Sequence, residues 1–381
     1  MQYKRCSRCL MSNSSDSTMT FDSEGHCNYC NGAIKWLRSS YFPNEHGEKK
    51  FKKAIAEAKK AGKGNKYDCI IGISGGLDSS YLAYKLSNTG LRVLAVHIDD
   101  GYDTEISKQN IARLINKTGY DYKVITPDAS QFNALTLAYM KAGVPNIAVP
   151  QDNVLFAFLY DCIRKYHIKY FFSGSNLALE SIYQKGNTWK NTDVVNIKAI
   201  HKKYGTKPID NLKFLSTMRR TIDKRIYGIK TVTPLDFMDY NRDRAFAELK
   251  EYCGFEYYGR KHLENSLTAF VQLRWFPEKF NVDKRTWHLS SMIISGQMTR
   301  EQAMKELEEP MFDKTIMRDY QNQIIRNLGI TNDELEKMIN SPGHQHFEYK
   351  TEDDTLIFKI FKTMQSIKKK QKIKRFGNCL G

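Results

Sequence analysis

Residues 74–79 have the residue types and spacing of a phosphate-binding loop. They read Ser-Gly-Gly-Leu-Asp-Ser and follow a short apolar run at residues 69–73. The two glycines permit backbone conformations closed to other residues, and their N–H groups can form an anion-binding nest. A helix beginning directly after the loop would add the partial positive charge of its N-terminus. The candidate nucleotide-binding residues here are Ser74, Gly75, Gly76, Asp78 and Ser79.

This loop differs from the common ATP-binding loop, because no Gly-Lys-Ser/Thr follows its glycines. A nest without a lysine suits pyrophosphate as a leaving group. Asp78 is placed either to cap the following helix or to hold Mg²⁺. An ordinary strand–helix turn is the alternative, but the full six residues after a buried strand favour nucleotide binding.

Four cysteines near the N-terminus form two C-x-x-C pairs that are seventeen residues apart. Four thiolates at this spacing can close a tetrahedral site, which suits a structural Zn²⁺ with no open position. An iron–sulfur cluster is the second candidate. In a reducing compartment the spacing favours a metal over disulfides. We therefore predict a structural zinc ion on Cys6, Cys9, Cys27 and Cys30.

Apolar runs alternate with helical patterns around the loop, which predicts an α/β fold with a parallel sheet covered on both faces. Such sheets bind ligands at the carboxyl ends of their strands. The predicted strands lie at residues 69–73, 91–98, 122–126, 170–172 and 229–232. The predicted helices of this part lie at residues 49–61, 105–118, 131–142 and 154–166. The chain beyond residue 236 is predicted to be mostly helical, with a capping box at Thr299 and an N-cap at Asn332.

These patterns divide the chain into four regions. We predict a zinc-binding module at 1–43, a connector helix at 44–66, an ATP-binding domain at 67–240 and a helical C-terminal region with a basic tail at 241–381.

The chain of 381 residues is 41% hydrophobic and has a formal net charge of +17. A positive field of this size attracts anions such as nucleotides, nucleotide-sugars and nucleic acid. A secretory signal and an apolar stretch long enough to span a bilayer are both missing from the pattern. We therefore expect a cytoplasmic protein without a membrane partner.

The loop and its flanking strand resemble the signature of the PP-loop ATP pyrophosphatase superfamily, which is similar in fold to the adenine-nucleotide alpha-hydrolases. The resemblance implies ATP and Mg²⁺ as cofactors and adenylation of a carbonyl-type oxygen. It also implies that His97 and Asp99 lie beside adenosine. Gly174, Ser175 and Asn176 would line the nucleotide pocket after the fourth strand.

Longer blocks resemble the N-acetyl sugar amidotransferase family of surface-polysaccharide and flagellin-sugar pathways, from the first cysteine pair to about His346. The resemblance implies conversion of an acetamido group on a nucleotide-activated sugar into an acetamidino group. Ammonia would come from a separate glutaminase subunit, with a cyclase-like companion as a further partner. Asn153 stands where many members have a histidine. The blocks cover residues 67–72, 149–152, 174–176, 257–265, 279–285 and 290–300, together with Glu180.

Within these blocks, charged residues are candidates for catalysis and for substrate binding. Lys279 and Arg285 could neutralise charge that builds on the α-phosphate, and His262 is assigned to catalysis with Asp78. A solvated surface charge is the alternative for each of them. The candidate sugar-binding residues are Asp152, Glu180, Tyr258, Lys261 and Glu264.

Two other functions fit part of the pattern. The cysteine module, the positive charge and the basic tail at residues 368–375 also suit a PP-loop enzyme of the tRNA-thiolating type. However, none of the other cysteines has a neighbour that makes a sulfur relay obvious. A zinc-ribbon nucleic-acid-binding protein is the third possibility, and the intact loop argues against it. We take the tail as a solubilising end, so nucleic acid is the disfavoured partner.

Overall fold

The computed structural model describes residues 2–356 and 358–360. Its centre is a sheet of five parallel strands in the order β3-β2-β1-β4-β5. The sheet order places β1, which precedes the phosphate loop, in the middle. The strands are β1 (Cys69–Gly72), β2 (Val93–Ile98), β3 (Asp121–Ile125), β4 (Tyr170–Phe172) and β5 (Lys230–Val232).

Helices cover both faces of this sheet. The helices up to β5 are α1 (Asn28–Ser40), α2 (Glu45–Ala61), α3 (Leu77–Ser87), α4 (Glu105–Thr118), α5 (Ala129–Ala142), α6 (Val149–Lys165), α7 (Leu177–Glu180), α8 (Val194–Tyr204) and α9 (Thr217–Arg225). Those beyond β5 are α10 (Arg242–Cys253), α11 (Ser266–Phe270), α12 (Phe276–Phe280), α13 (Arg285–Ile294), α14 (Arg300–Glu308), α15 (Lys314–Leu328) and α16 (Asn332–Asn340). A π-helical turn at Val271–Trp275 joins α11 to α12.

Neighbouring residues of β1 pack into different cores because side chains alternate along a strand. Ile71 joins a core with α2, α3, α4 and α10 on one face. Ile70 joins a second core, which α6 supplies on the other face. The predicted α/β class and the doubly covered parallel sheet are therefore confirmed.

Most predicted elements lie within a few residues of the observed ones, although helix α2 begins at Glu45 rather than at residue 49, and two further helix starts differ for identifiable reasons. Helix α6 begins at Val149 rather than at residue 154, because Pro150 fits the first helical turn, where its missing N–H has no partner to lose. The N-cap of α16 is Thr331, not Asn332. The Thr331 hydroxyl accepts a hydrogen bond from the N–H of Glu334, and the Glu334 carboxylate accepts one from the N–H of Thr331. The capping box at Thr299 is confirmed.

A third core joins the N-terminal cysteine module to the C-terminal helices. It contains the four cysteines, apolar residues of α5 and α8, and side chains from α11, α12, α13, α15 and α16. Helix α2, predicted as a connector or an outer helix, packs into the core of the sheet through Ala54, Ile55 and Ala58. The regional boundaries at residues 43, 66 and 240 stay predictions, and these shared cores cross them.

No helix in the described part of the chain is both long and apolar enough to cross a membrane. The basic tail at residues 368–375 lies outside the described residues.

Candidate active site

The phosphate loop lies between the carboxyl end of β1 and the first turn of α3. Gly75 has φ 76°, a left-handed conformation that favours glycine. Gly76 is the N-cap of α3 and has no side chain, so no cap side chain takes up the first N–H groups of that helix. Gly174, after β4, approaches the loop closely, and a Cβ there would lie 3.0 Å from the N atom of Ser79. These features are compatible with an anion-binding nest, which stays a prediction.

Oxygen atoms of the chain itself bind the donors of this nest. The Leu77 N–H donates to the hydroxyl of Tyr258 over 2.7 Å. The Ser74 hydroxyl donates to Glu264 Oε1 over 3.4 Å, and Glu264 is 8% exposed. Tyr258 and Glu264 belong to residues 257–264, which we call the covering segment. This segment therefore occupies part of the site where phosphate oxygens would bind.

Asp78 does not cap α3. Its carboxylate accepts hydrogen bonds from the hydroxyl of Tyr240 and from Lys261 Nζ. Burial and the charge of Asp78 raise the pKa of Tyr240 well above its ordinary value, so the phenol remains a donor. The capping role considered for Asp78 is therefore wrong, whereas its carboxylate lines the cavity as a metal-binding role requires.

Side chains of alternating charge form a row along the cavity that begins at Asp78. Lys261 Nζ also lies 3.1 Å from Glu180 Oε1, and His262 Nε2 lies 3.0 Å from the same oxygen. On its other side, His262 Nδ1 lies 3.9 Å from Glu264 Oε1. Burial and Lys261 oppose protonation of the ring, but the hydrogen bond to Glu180 and the nearby carboxylate of Glu264 raise the pKa of His262 to about 9. His262 is therefore a cation at neutral pH.

The cavity has a volume of about 710 Å³ and extends from the loop to Asp152, Lys284 and His288. At the cavity wall, desolvation raises the pKa of Asp152 to about 6 and lowers the pKa of Lys284 to about 7. Burial, His262 and Lys284 hold the pKa of His288 well below its ordinary value. The sequence analysis missed Lys284 and His288. Their spacing of four residues, directly beside Arg285, is the signal that could have found them.

Beside the loop, at the end of β2, His97 lies between two acceptors. Its Nδ1 is 2.8 Å from the carbonyl oxygen of Ile73, and its Nε2 is 2.8 Å from Asp103 Oδ2. Burial opposes protonation, yet Asp103 outweighs it and raises the pKa of His97. Ligand atoms of His97, Asp99 and Asp103 lie within 4.8 Å of one another. This group could therefore hold a cation near the loop.

The structure brings most of the predicted site residues to one cavity. The members that line it are Ser74, Gly76, Asp78, Ser79, His97, Asp152, Gly174, Ser175, Glu180, Tyr258, Lys261, His262, Glu264 and Arg285. Arg285 also pairs with Asp283 at 2.8 Å, so its charge is already matched.

Lys279 does not line this cavity, and its predicted place beside the α-phosphate is corrected. It lies in the last turn of α12, which packs against α16. Its Nζ donates to the Met338 carbonyl at 2.8 Å and to the Ser341 hydroxyl at 3.0 Å. Lysine stabilises a helix C-terminus in this way, so the residue is structural here.

Asp99 and Asn176 also make local structure rather than cavity wall. Asp99 Oδ1 accepts from the N–H of Gly101 at 3.0 Å. Asn176 is the N-cap of α7 and accepts from the N–H of Leu179 at 2.9 Å. Both follow strands of the sheet, which is why their positions suggested a direct role.

The four cysteines are fully buried with free thiols. The Sγ atoms of Cys6 and Cys30 lie 3.8 Å apart, and those of Cys9 and Cys27 lie 3.7 Å apart. A tetrahedral ion with Zn–S bonds of about 2.3 Å requires sulfur–sulfur edges of about 3.8 Å. The N–H of Cys27 also lies 3.2 Å from Cys6 Sγ and can stabilise a thiolate. The geometry therefore fits one metal ion.

Comparison with known proteins finds a family match in the C-terminal part. Residues 264–367 match the family described as LPS biosynthesis protein WbpG-like, C-terminal domain. An uncharacterized protein of Methanocaldococcus jannaschii is 22% identical over 321 residues, which cover 83% of this chain and 97% of that protein.

Three solved structures share low similarity with the chain. NMN synthetase from Francisella tularensis is 12% identical with a TM-score of 0.34, and the match covers 80% of this chain and 95% of that one. The NH3-dependent NAD synthetase of Campylobacter jejuni is 12% identical with a TM-score of 0.33, over 78% and 98% of the two chains. The U34-tRNA thiolase NcsA of Methanococcus maripaludis, with its [4Fe-4S] cluster, is 14% identical with a TM-score of 0.34, over 85% and 89%.

The assignment of the fold rests on the parallel sheet, its order and the glycine loop between β1 and α3. The C-terminal match begins at Glu264, the residue that contacts the loop. The chain therefore has an α/β fold with a parallel sheet, and its residues 264–367 are similar to the WbpG-like C-terminal domain.

Proposed function

We propose that the protein is an ATP-dependent, AMP-forming amidotransferase that acts on a nucleotide-activated N-acetyl sugar. The observation that carries the proposal is the shared cavity. The phosphate loop forms one part of its lining, and Glu264, Lys284, Arg285, Trp287 and His288 bring residues of the WbpG-like part to the same cavity. A cavity of about 710 Å³ has room for ATP phosphates together with part of a second substrate.

The chemistry needs activation because an amide oxygen is a poor leaving group. The acetamido oxygen attacks the α-phosphorus of ATP, the new O–P bond forms, and the bond to pyrophosphate breaks. The nest of residues 74–79 binds the departing pyrophosphate through N–H donors. Ammonia then adds to the imidate carbon, the C–O bond breaks with release of AMP, and a proton moves from the new nitrogen to the imidate nitrogen.

Charged groups of the cavity have distinct parts in this scheme. Lys261 and His262 supply positive charge near the loop, where negative charge develops on phosphate oxygens. Mg²⁺ that enters with ATP would neutralise phosphate charge, and Asp78 is the carboxylate that would hold it. The neutral ring of His288 and the carboxylate of Asp152 face the part of the cavity that remains for the sugar.

We further infer that the four cysteines hold Zn²⁺ in a structural role, because their sulfur–sulfur distances fit a single tetrahedral ion. A cluster that distributes the thiolates over several irons needs wider separations. A separate glutaminase subunit would supply ammonia, and ATP with a nucleotide-sugar would place the reaction in the cytoplasm.

The test is release of AMP and pyrophosphate with ATP, Mg²⁺, ammonium salt and a panel of UDP-acetamido sugars. We expect AMP only when a sugar is present, and mass spectrometry should show the sugar oxygen replaced by NH. Bulk tRNA is the comparison substrate. AMP release with tRNA alone would move the protein to RNA modification, and no AMP with any sugar would contradict the proposal.

A further inference from the structure

Lys284 is the cavity-lining lysine that the scheme above leaves unused. It is the N-cap residue of α13, and its Nζ lies 3.6 Å from the centre of the Trp287 ring. Within the described ranges 2–356 and 358–360, no carboxylate lies at ion-pair distance from this ammonium, whereas Lys261 pairs with Asp78 and Glu180.

The surroundings of Lys284 give it no compensating charge by direct contact. His288, one turn further along α13, is held neutral, and Phe276 and Trp287 are aromatic. Asp152 and Glu180 act on Lys284 only at a distance. A lysine in such surroundings is costly unless a ligand brings the missing negative charge.

The partners of the cations in the cavity point to the second substrate rather than to ATP. The cations Lys261 and His262 already lie beside Asp78, Glu180 and Glu264. Lys284 precedes His288 by one turn of α13, in the part of the chain that matches the WbpG-like domain, and the ring centres of His288 and His262 lie 5.6 Å apart. Glu180 and Asp152 act on Lys284 across the cavity and not by direct contact.

We propose that Lys284 binds an anionic group of the sugar substrate, either the diphosphate of its nucleotide or a carboxylate on its ring. The proposal rests on the proposed function for the identity of the ligand. It makes Lys284 a specificity-determining residue, while the triphosphate of ATP binds at residues 74–79. The cavity then has two separate anion sites, one for each substrate.

The experiment is calorimetric titration of UDP, a UDP-acetamido sugar, a UDP-uronate and Mg-ATP into four proteins. These are the natural chain, Lys284→Met, Lys284→Arg and Lys305→Met. The methionine keeps an apolar stem over Trp287 and removes the charge. The last variant removes an equal charge from an exposed position on α14. We expect Lys284→Met to weaken the binding of the sugar nucleotide by roughly tenfold or more. The affinity for Mg-ATP should not change, and Lys284→Arg should recover part of the affinity for the sugar nucleotide.

The outcomes distinguish the two sources of the anion. A loss already present with UDP assigns Lys284 to the diphosphate, and a loss confined to the UDP-uronate assigns it to the ring carboxylate. An equal loss for Mg-ATP, equal sugar-nucleotide affinity of all four proteins, or no binding of UDP or sugar nucleotide to the natural chain would overturn the proposal. Binding without AMP formation would contradict the proposed function alone.

Thermal melting is a second measurement, because the melting temperature of Lys284→Met would fall if Lys284 had a merely structural role. The folded protein disfavours the charged form of Lys284, since burial lowers its pKa. Lys284→Met should therefore melt no lower than the natural chain. A clear drop in melting temperature would show that the lysine supports the fold instead.

Discussion

At the scale of single residues, Asp78 has the environment of a functional carboxylate. Its oxygens accept from Tyr240 and Lys261, and its side chain is 17% exposed toward the cavity. Neither contact is needed to begin α3, because Gly76 is the N-cap. The charge of Asp78 therefore serves the site rather than the helix.

We expect Asp78→Ala to abolish AMP formation and to leave the fold intact, because the cavity loses its carboxylate beside the loop. Asp78→Asn should be equally inactive, although its amide oxygen still accepts from Tyr240. Asp319→Ala, at an exposed position on α15, is the control. Circular dichroism would check the fold. Retained turnover in either Asp78 variant would contradict the assignment of the loop.

His262 gives a pH dependence of stability. Its folded pKa of about 9 lies above the ordinary value of 6.5, so its contribution is fully present below pH 6.5 and is lost as pH rises through 9. The unfolding free energy of the natural chain minus that of His262→Gln should therefore fall across this window. Denaturant titrations at several pH values measure this difference. A difference that stays constant with pH would show that Glu180 and Glu264 do not hold the charged ring.

The lysines show where prediction from sequence succeeds and fails. Lys261 was predicted as a site residue because it is a charged residue of a block that resembles the amidotransferase family, and it lines the cavity. Lys279 and Lys284 belong to the same block, residues 279–285, yet of these two lysines only Lys284 lines the cavity. Between them, Asn281 adopts a left-handed conformation with φ 52° that ends α12. The direction of the chain after such a turn depends on tertiary packing, which spacing does not contain.

At the scale of elements, the strands were the easier part to predict. Buried parallel strands are short apolar runs, and β4 was found with its observed bounds. Helix starts were harder because several residues can act as caps. Thr331 and Asn332 are both good cap residues, and the reciprocal bond from Glu334 decides for Thr331.

The cysteine module allows a prediction about one element. Cys27 is the N-cap of α1 and one of four sulfurs that fit a metal ion. We expect Cys27→Ser to lose the bound metal and to lower the melting temperature, since an incomplete ligand set binds zinc weakly. Cys253→Ser is the matched control, because this half-buried thiol lies outside the cluster. If Cys27→Ser kept both the metal content and the melting temperature of the natural chain, the assignment would be contradicted.

At the scale of the whole molecule, the cores do not follow the predicted regions. One core joins the cysteine module to α5 and to α11, α12, α13, α15 and α16, and Met292 of α13 packs into the core beside the sheet. Composition and motif changes along the chain predict regions well, but they do not show which apolar faces meet. The predicted boundaries therefore describe sequence patterns better than they describe packing.

We expect the chain to unfold in one cooperative transition, because the regions share buried side chains. A fragment that ends at residue 240 would expose the apolar faces of α5 and of the cysteine module, so it should lack fixed tertiary structure. Calorimetry of the full chain and near-ultraviolet circular dichroism of the fragment are the measurements. Two separate transitions, or a well-folded fragment, would support independent domains instead.

The contacts of Tyr258 and Glu264 with the loop have a consequence for the kinetics of nucleotide binding. The phenol oxygen and the carboxylate hold donors that phosphate oxygens need. The covering segment must therefore leave the nest before ATP can enter. At high ATP concentration, the observed association rate should level off at the opening rate of the segment. Glu264→Gln weakens the competing contact by removing its charge, so it should raise that limiting rate.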